Sequence, residues 1–241
     1  MEPIKYITQN DRDEQWGLTV CSVGYQKSLP GEPYPCGNHN QEYLFQPERG
    51  RMLHEYQLLY VAEGEGILET RTAGKMRVKA GDMFLIHPGE WHTYAPDPEI
   101  GWKEYWIGFS GINVDSRVAA GFLPLECPLY NIGYNETVIE LYREAIRVAK
   151  KQEKYFQQLL AGIVNHLLGL MFMINSNRVQ VDSSIPKLMD KARAYMQESV
   201  ESDLEMPAVA EYLNIGYSTF RHEFKKYTGL SPAQYYINLK I

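Results

Sequence analysis

Cysteine is scarce in this 241-residue chain, and the three present, Cys21, Cys36 and Cys127, are scattered and odd in number. That pattern supplies neither a disulfide framework nor the paired spacing of a zinc site. Long apolar runs are also missing: the longest, residues 167–174, is too short to span a bilayer. Positive charge does not predominate. A net charge of −6 argues against a general nucleic-acid coat, although a sequence-specific binder can carry its positive charge locally. No secretory signal opens the chain, since MEPIK leads into charged sequence, so a reducing cytoplasm is expected. Internal repeats and low-complexity tracts are absent. What is present, 44% hydrophobic and 22% charged residues, is ordinary for a soluble globular protein with room for two modest domains.

The first half reads as strands. Residues 16–25 alternate and are rich in β-branched and aromatic types, and strand-like segments follow at 43–46, 56–62, 66–72, 75–78, 82–86, 91–94 and 103–109. Glycine- and proline-bearing turns at 63–66, 73–75 and 87–90 separate them, and a proline-stiffened loop at 29–39 could act as a lid. Many short strands between such turns predict a β-sandwich or barrel. The period then changes. Residues 135–151 put Ile139, Tyr142, Ile146 and Ala149 on one helical face, while 155–174 is apolar nearly all round. A helix of that kind needs burial on several sides. It is read as a dimerisation helix, with an intramolecular core helix as the alternative. Residues 176–184 are polar and poor in helix formers, which suits a linker.

The last forty residues carry the sharpest signal. A helix at 187–198 is expected to turn Leu188, Ala192 and Tyr195 inward. An acidic, capped start then leads into 206–213, a turn at Asn214-Ile215-Gly216, and a second short helix at 217–228. Val209, Leu213, Phe220 and Phe224 recur at three- and four-residue steps and make one apolar stripe. Gly216 is read as the residue that frees the turn, Gly229 as the helix stop, and Ser231-Pro232 as a cap and restart. Ser218, Thr219, Arg221, His222, Lys225 and Lys226 remain on the other faces, where Ser218, Arg221 and His222 can reach base edges and the lysines suit phosphates. The bland alternative is a solvated helix face. Residues 185–241 hold seven basic and seven acidic side chains, so any positive surface there is local.

Residues 203–241 resemble the first of the two helix-turn-helix units of AraC/XylS transcription regulators. The likeness rests on Leu204, Ala210, Leu213, Ile215, Tyr217-Ser218, Phe220, Phe224-Lys225-Lys226, Thr228-Gly229, Ser231-Pro232, Tyr235 and Leu239. It implies base contacts from Ser218, Arg221 and His222. It also implies a second unit beyond Ile241, so the chain is expected to be a piece of a longer regulator and to bind DNA poorly by itself. Residues 56–66 and 78–92, with Gly81-Asp82, Pro88-Gly89 and His92, resemble the cupin-type ligand-binding domain of the same regulators. Cupin enzymes hold a metal with a His-x-His pair, a Glu and a distal His. Only His92 matches the distal position, and His54 with Glu55 does not complete a ligand set, so no metal or cofactor is expected.

The expected architecture is therefore an α+β multidomain chain. It comprises a cupin-like effector-binding β domain (1–133), a helical dimerisation segment (134–175), a linker (176–184) and a partial all-α helix-turn-helix domain (185–241). The crowd of aromatics suggests a small polar effector such as a sugar, bound near Trp91, His92, Tyr94 and Trp106. The expected function is a non-enzymatic, effector-controlled, homodimeric regulator of transcription that binds double-stranded operator DNA and has no membrane role. The competing readings are a cupin isomerase or dioxygenase with a helical tail, and a module whose C-terminal helices bind a protein.

Overall fold

The computed structural model of the chain describes residues 4–35, 46–179 and 184–241. It divides into two units, Met1–Asn175 and Ser176–Ile241. The expected strand at 43–46 falls mostly outside the described residues.

The first unit contains β1 (Lys5–Tyr6), α1 (Asp11–Glu14), β2 (Thr19–Ser28), β3 (Tyr56–Thr70), β4 (Gly74–Lys79), β5 (Asp82–Ile86), β6 (His92–Pro96), β7 (Trp102–Ser110), α2 (Ile112–Ala119), β8 (Leu129–Asn131), α3 (Glu136–Lys151) and α4 (Phe156–Val179). All pairings are antiparallel, in the order β1-β2-β7-β3-β5-β8, with β4 and β6 joined to the far half of β3. β3 is one strand where a turn at 63–66 was expected. Its near half pairs with β5 and β7, its far half with β4 and β6, and a bulge lies between Val61 and Glu63. Gly64 takes φ +83 there, and a Cβ on it would sit 2.0 Å from the Gly101 carbonyl oxygen. The glycine lets the strand bend without leaving its ladders.

Alternation on these strands makes two apolar layers. Leu59, Val61, Leu68, Val78, Phe84, Ile86, Tyr94, Trp102 and Trp106 pack together on one side. Tyr56, Leu58, Tyr60, Met83, Leu85, Tyr105, Ile107 and Phe109 face the other way and share a core with α3 and α4. α3 is capped by Asn135, whose side chain accepts from the Val138 amide, and buries Ile139, Tyr142, Ile146 and Ala149 as its period requires. Tyr142 donates to the Leu58 carbonyl at 3.1 Å. Gln157 of α4 acts as a surrogate strand: its amide accepts from Val20 N and donates to Val20 O, both at 2.9 Å.

α4 runs to Val179, into the stretch read as linker, and its window from Phe156 to Ser176 is long and apolar enough to cross a membrane by length and composition. The run of 167–174 had suggested otherwise. In the fold, Leu160, Val164, Leu167 and Met171 are fully buried in the shared core. Leu159, Gly162, His166, Gly169 and Met173 are exposed.

The second unit holds α5 (Ser184–Glu198), α6 (Met206–Tyr212), α7 (Tyr217–Thr228) and α8 (Pro232–Leu239). Its core is Met189, Ala192, Met196, Met206, Val209, Ala210, Leu213, Phe220, Phe224 and Tyr236. On α5 the buried stripe is Met189, Ala192 and Met196, with Leu188 and Tyr195 only partly covered, so the inward face lies one residue on from the expected one. α6 begins at Glu205 without a side-chain cap, contrary to expectation. Tyr227 donates to Asp190 at 2.9 Å and Arg193 to the Tyr235 hydroxyl at 3.2 Å, which ties α5 to α7 and α8.

Candidate functional site

The side of the first unit facing away from α3 and α4 is lined by polar as well as aromatic groups. Strand parity places Trp102, Glu104 and Trp106 of β7 there, opposite Ser28, Gln26 and Gly24 of β2. Gln57 of β3 and Tyr94 of β6 share the same interior, and the loop after β2 returns Tyr34 to it. Trp106 packs against Gly24, where a Cβ would come within 2.3 Å of the ring. A side chain at that glycine would push the indole out of its place.

Arg51 sits just before β3 and exchanges two backbone hydrogen bonds with His92, at 2.9 and 3.0 Å. Its guanidinium donates to the Tyr94 hydroxyl at 2.8 Å and lies 3.4 Å from both Gln57 Oε1 and His92 Nε2. His92 Nδ1 is 2.9 Å from the Glu90 carbonyl, so the ring serves as a neutral imidazole with Nδ1 protonated and Nε2 accepting. Burial, aided by Arg51, lowers its pKa to about 4, although the Glu90 carbonyl opposes the shift. Across the interior, Tyr34 donates to Glu104 Oε1 at 2.8 Å. Glu104 is 2% exposed. Burial raises its pKa to about 7 against the opposing pull of Tyr34, Trp102 and Arg51.

Of the four expected pocket residues, His92, Tyr94 and Trp106 are buried in this interior. Trp91 is not with them. It is half-buried, packs on Gly50 and donates its indole N–H to Arg49 O at 3.0 Å. Alternation explains the split, because Trp91 and His92 leave the backbone on opposite sides. Arg51, Gln57, Glu104, Trp102 and Tyr34 share this interior and were not among the four expected residues. The signal for Glu104 was available, since it lies two residues from each of two tryptophans on one strand face. No local pattern marks Arg51. His54 is exposed, and no group of three His, Cys, Asp or Glu able to hold a metal occurs among the described residues.

In the second unit, Ser218, Thr219, Arg221, His222, Lys225 and Lys226 are all exposed, and Phe220 and Phe224 are fully buried behind them. Arg221, Lys225 and Lys226 make no ion pair among the described residues. The turn between α6 and α7 differs from expectation. Asn214 takes the left-handed conformation, φ +54, whereas Gly216 has φ −64 and serves as the N-cap of α7. Asparagine tolerates that region better than other residues with a Cβ. Gly229 at φ +79 and Ser231 capping α8 are as expected.

Residues 34–168 match the family model described as the AraC-like ligand binding domain. The chain belongs to that family. Its strand unit is the cupin-like domain of an AraC-type protein, and a helical part follows it. Similar curated proteins include the MmsAB operon regulatory protein of Pseudomonas aeruginosa, 27% identical over 191 residues, covering 78% of this chain and 60% of that protein. The raffinose operon transcriptional regulatory protein RafR of Pediococcus pentosaceus is 24% identical over 92% of this chain and 76% of its own length. The Msm operon regulatory protein of Streptococcus mutans is 24% identical over 77% and 67%. The AraC-like chain thus spans 60% of the first of these relatives and more of the other two.

Proposed function

We propose that the chain is the effector-binding and operator-contacting part of a sequence-specific transcription regulator. The observation that carries this reading is the pairing of an AraC-like ligand-binding domain, polar and aromatic inside, with a helical unit whose exposed face offers Arg221, His222, Lys225 and Lys226. The effector is a small, neutral, polyhydroxylated molecule such as a sugar. Aromatic faces at Tyr94, Trp102 and Trp106 suit sugar rings, and Arg51, Gln57 and Glu104 suit hydroxyls. One relative bears the name of a raffinose operon, which favours the same class. The protein acts in the cytoplasm on double-stranded DNA and catalyses no reaction. Effector binding biases the arrangement of the DNA-contacting units by its differential affinity for them.

Ser218, Thr219, Arg221 and His222 approach base edges, and Lys225 and Lys226 contact phosphates. Gel shifts on DNA from upstream of the protein's own gene, at low salt and with and without sugars, test the reading. A specific complex is expected, and its complete absence would count against it. Arg221→Ala should cost about 1–3 kcal/mol of affinity and relax sequence preference. Unchanged affinity would instead favour a protein partner for α7.

The functional state is a homodimer joined through α4. Leu159, Gly162, His166, Gly169 and Met173 follow a 3-4-3-4 spacing, the seam of two packed helices. A Cβ on Gly162 or Gly169 would meet nothing within 4 Å. Each glycine costs the helix about 1 kcal/mol relative to alanine with no reason inside the chain, whereas a close second helix supplies one. The opposite face of α4 lies in the protein core, which suits a dimer seam and not a bilayer span. Leu159→Glu should turn a dimer into a monomer by light scattering. A variant with the wild-type mass would remove α4 from the interface.

A further inference from the structure

Glu104 Oε2 and Trp102 Nε1 are among the buried polar atoms that have no hydrogen-bond partner among the described residues. Both side chains are nearly inaccessible, at 2% exposure each. They project from one face of β7, two residues apart, and the indole N–H lies close enough to help hold the carboxyl in its charged form. The other carboxyl oxygen is already occupied, because Tyr34 donates to Oε1 at 2.8 Å. Tyr34 in turn packs its ring edge-on to Trp102, with centroids 5.8 Å apart. The carboxyl is therefore fixed on one side, with its second oxygen left to accept. Beside that acceptor lies the Trp102 indole N–H, near enough to bear on the carboxyl but outside hydrogen-bonding geometry with it. Buried groups of this kind are costly unless something pairs with them.

We infer that Glu104 Oε2 and Trp102 Nε1 together read a single hydroxyl of the effector, which donates to the carboxyl and accepts from the indole. The inference rests on the sugar reading above and makes it specific to one functional group. A hydroxyl is the smallest group that is both donor and acceptor. While the carboxyl is ionised, an effector carboxylate or ketone would satisfy the indole but face the carboxyl lone pairs, and an ammonium would satisfy the carboxyl but oppose the indole N–H. In that state the pair selects against acids and amines and favours an alcohol. A site whose buried polar groups need a ligand hydroxyl rejects analogues lacking it more strongly than an apolar pocket can.

Titration calorimetry on the whole chain tests this with raffinose, melibiose, galactose and glucose, each at millimolar concentration. For any sugar that binds, its monodeoxy analogues are added, with Glu104→Gln and Trp102→Phe as variants and thermal melts to check folding. One deoxy analogue should bind the wild type at least about tenfold more weakly, equivalent to about 1.4 kcal/mol. Each variant should lose a similar factor for the parent sugar and lose little more when that same hydroxyl is removed. This non-additivity is not produced by a merely structural role. If the wild type binds a sugar but the variants bind it equally well, or if the losses simply add, the pair is not the reader and the sugar reading stands. If no sugar binds the wild type, the sugar reading falls and this inference with it. Should one variant fail to fold, the other variant and the analogue series on the wild type still decide the matter.

Discussion

Phe224→Ala should destabilise the second unit by about 3–5 kcal/mol, the usual cost of emptying a phenylalanine-sized site in a packed core. Phe224 is fully buried and meets Phe220 and Tyr235 edge-on, with centroids 5.4 and 5.3 Å away. These rings form the middle of a core of only ten buried residues. At about 0.05–0.15 kcal/mol per residue, a unit of residues 184–241 has about 3–9 kcal/mol in all. The substitution therefore removes most of it. Urea melts followed by near-ultraviolet circular dichroism should show loss of the cooperative transition belonging to this unit. The transition of the strand unit, whose core shares none of these residues, should remain. DNA binding should be lost with the fold of α7. A variant that melts like the wild type would mean that the ring is not central to the core and that the buried stripe was misread.

That stripe was legible in the sequence because its contacts are local. Phe220 and Phe224 are one helical turn apart, and Gly229 and Ser231-Pro232 mark the boundary by chemistry that acts within a few residues. Where the deciding contact was distant, the reading failed. Glu63–Gly66 looks like a turn until Gly101 is seen against Gly64, so a bend inside one strand was taken for a gap between two. β8 has three residues and exists because β5 pairs with it and Asn175 of α4 accepts from the Asn131 amide at 3.0 Å. No periodicity can announce such a strand. Asn214 and Gly216 both suit a turn, and composition could not choose which carries the left-handed backbone. On β7, alternation correctly opposed Trp106 to Tyr105, but which face is the interior depends on where α3 and α4 lie. Trp91 was grouped with His92 and Tyr94 although alternation turns it to the other side, and it lies apart from them. Arg51 lies outside any strand and joins the site through its backbone pairing with His92, a contact across forty-one residues.

Glu104 and His92 should oppose each other in the pH dependence of stability, and removing either should expose the other. The carboxyl of Glu104 rises from 4.5 to about 7 on folding because it is buried. As pH climbs through that window the folded state keeps a proton that the unfolded chain has released, so stability falls by about 1.4 kcal/mol per pH unit, about 3 kcal/mol in total. His92 is buried neutral, its pKa lowered from 6.5 to about 4. As pH drops through that window the unfolded chain takes up a proton first, and stability again falls by about 1.4 kcal/mol per unit, about 3 kcal/mol in total. Between pH 4.5 and 6.5 the two slopes have opposite signs and nearly cancel. Glu104→Gln keeps an acceptor for Tyr34 and removes the first slope, so relative to the wild type it should lose stability on acidification across that interval. His92→Asn retains a donor near the Glu90 carbonyl and removes the second, so it should gain stability on acidification, again relative to the wild type. Comparison with the wild type cancels every other titrating group common to the proteins. Urea midpoints measured from pH 4.5 to 7.5 should therefore diverge in opposite directions for the two variants. Parallel profiles would mean that neither group titrates as its burial requires, and the interior would have to be wetter and looser than its packing indicates.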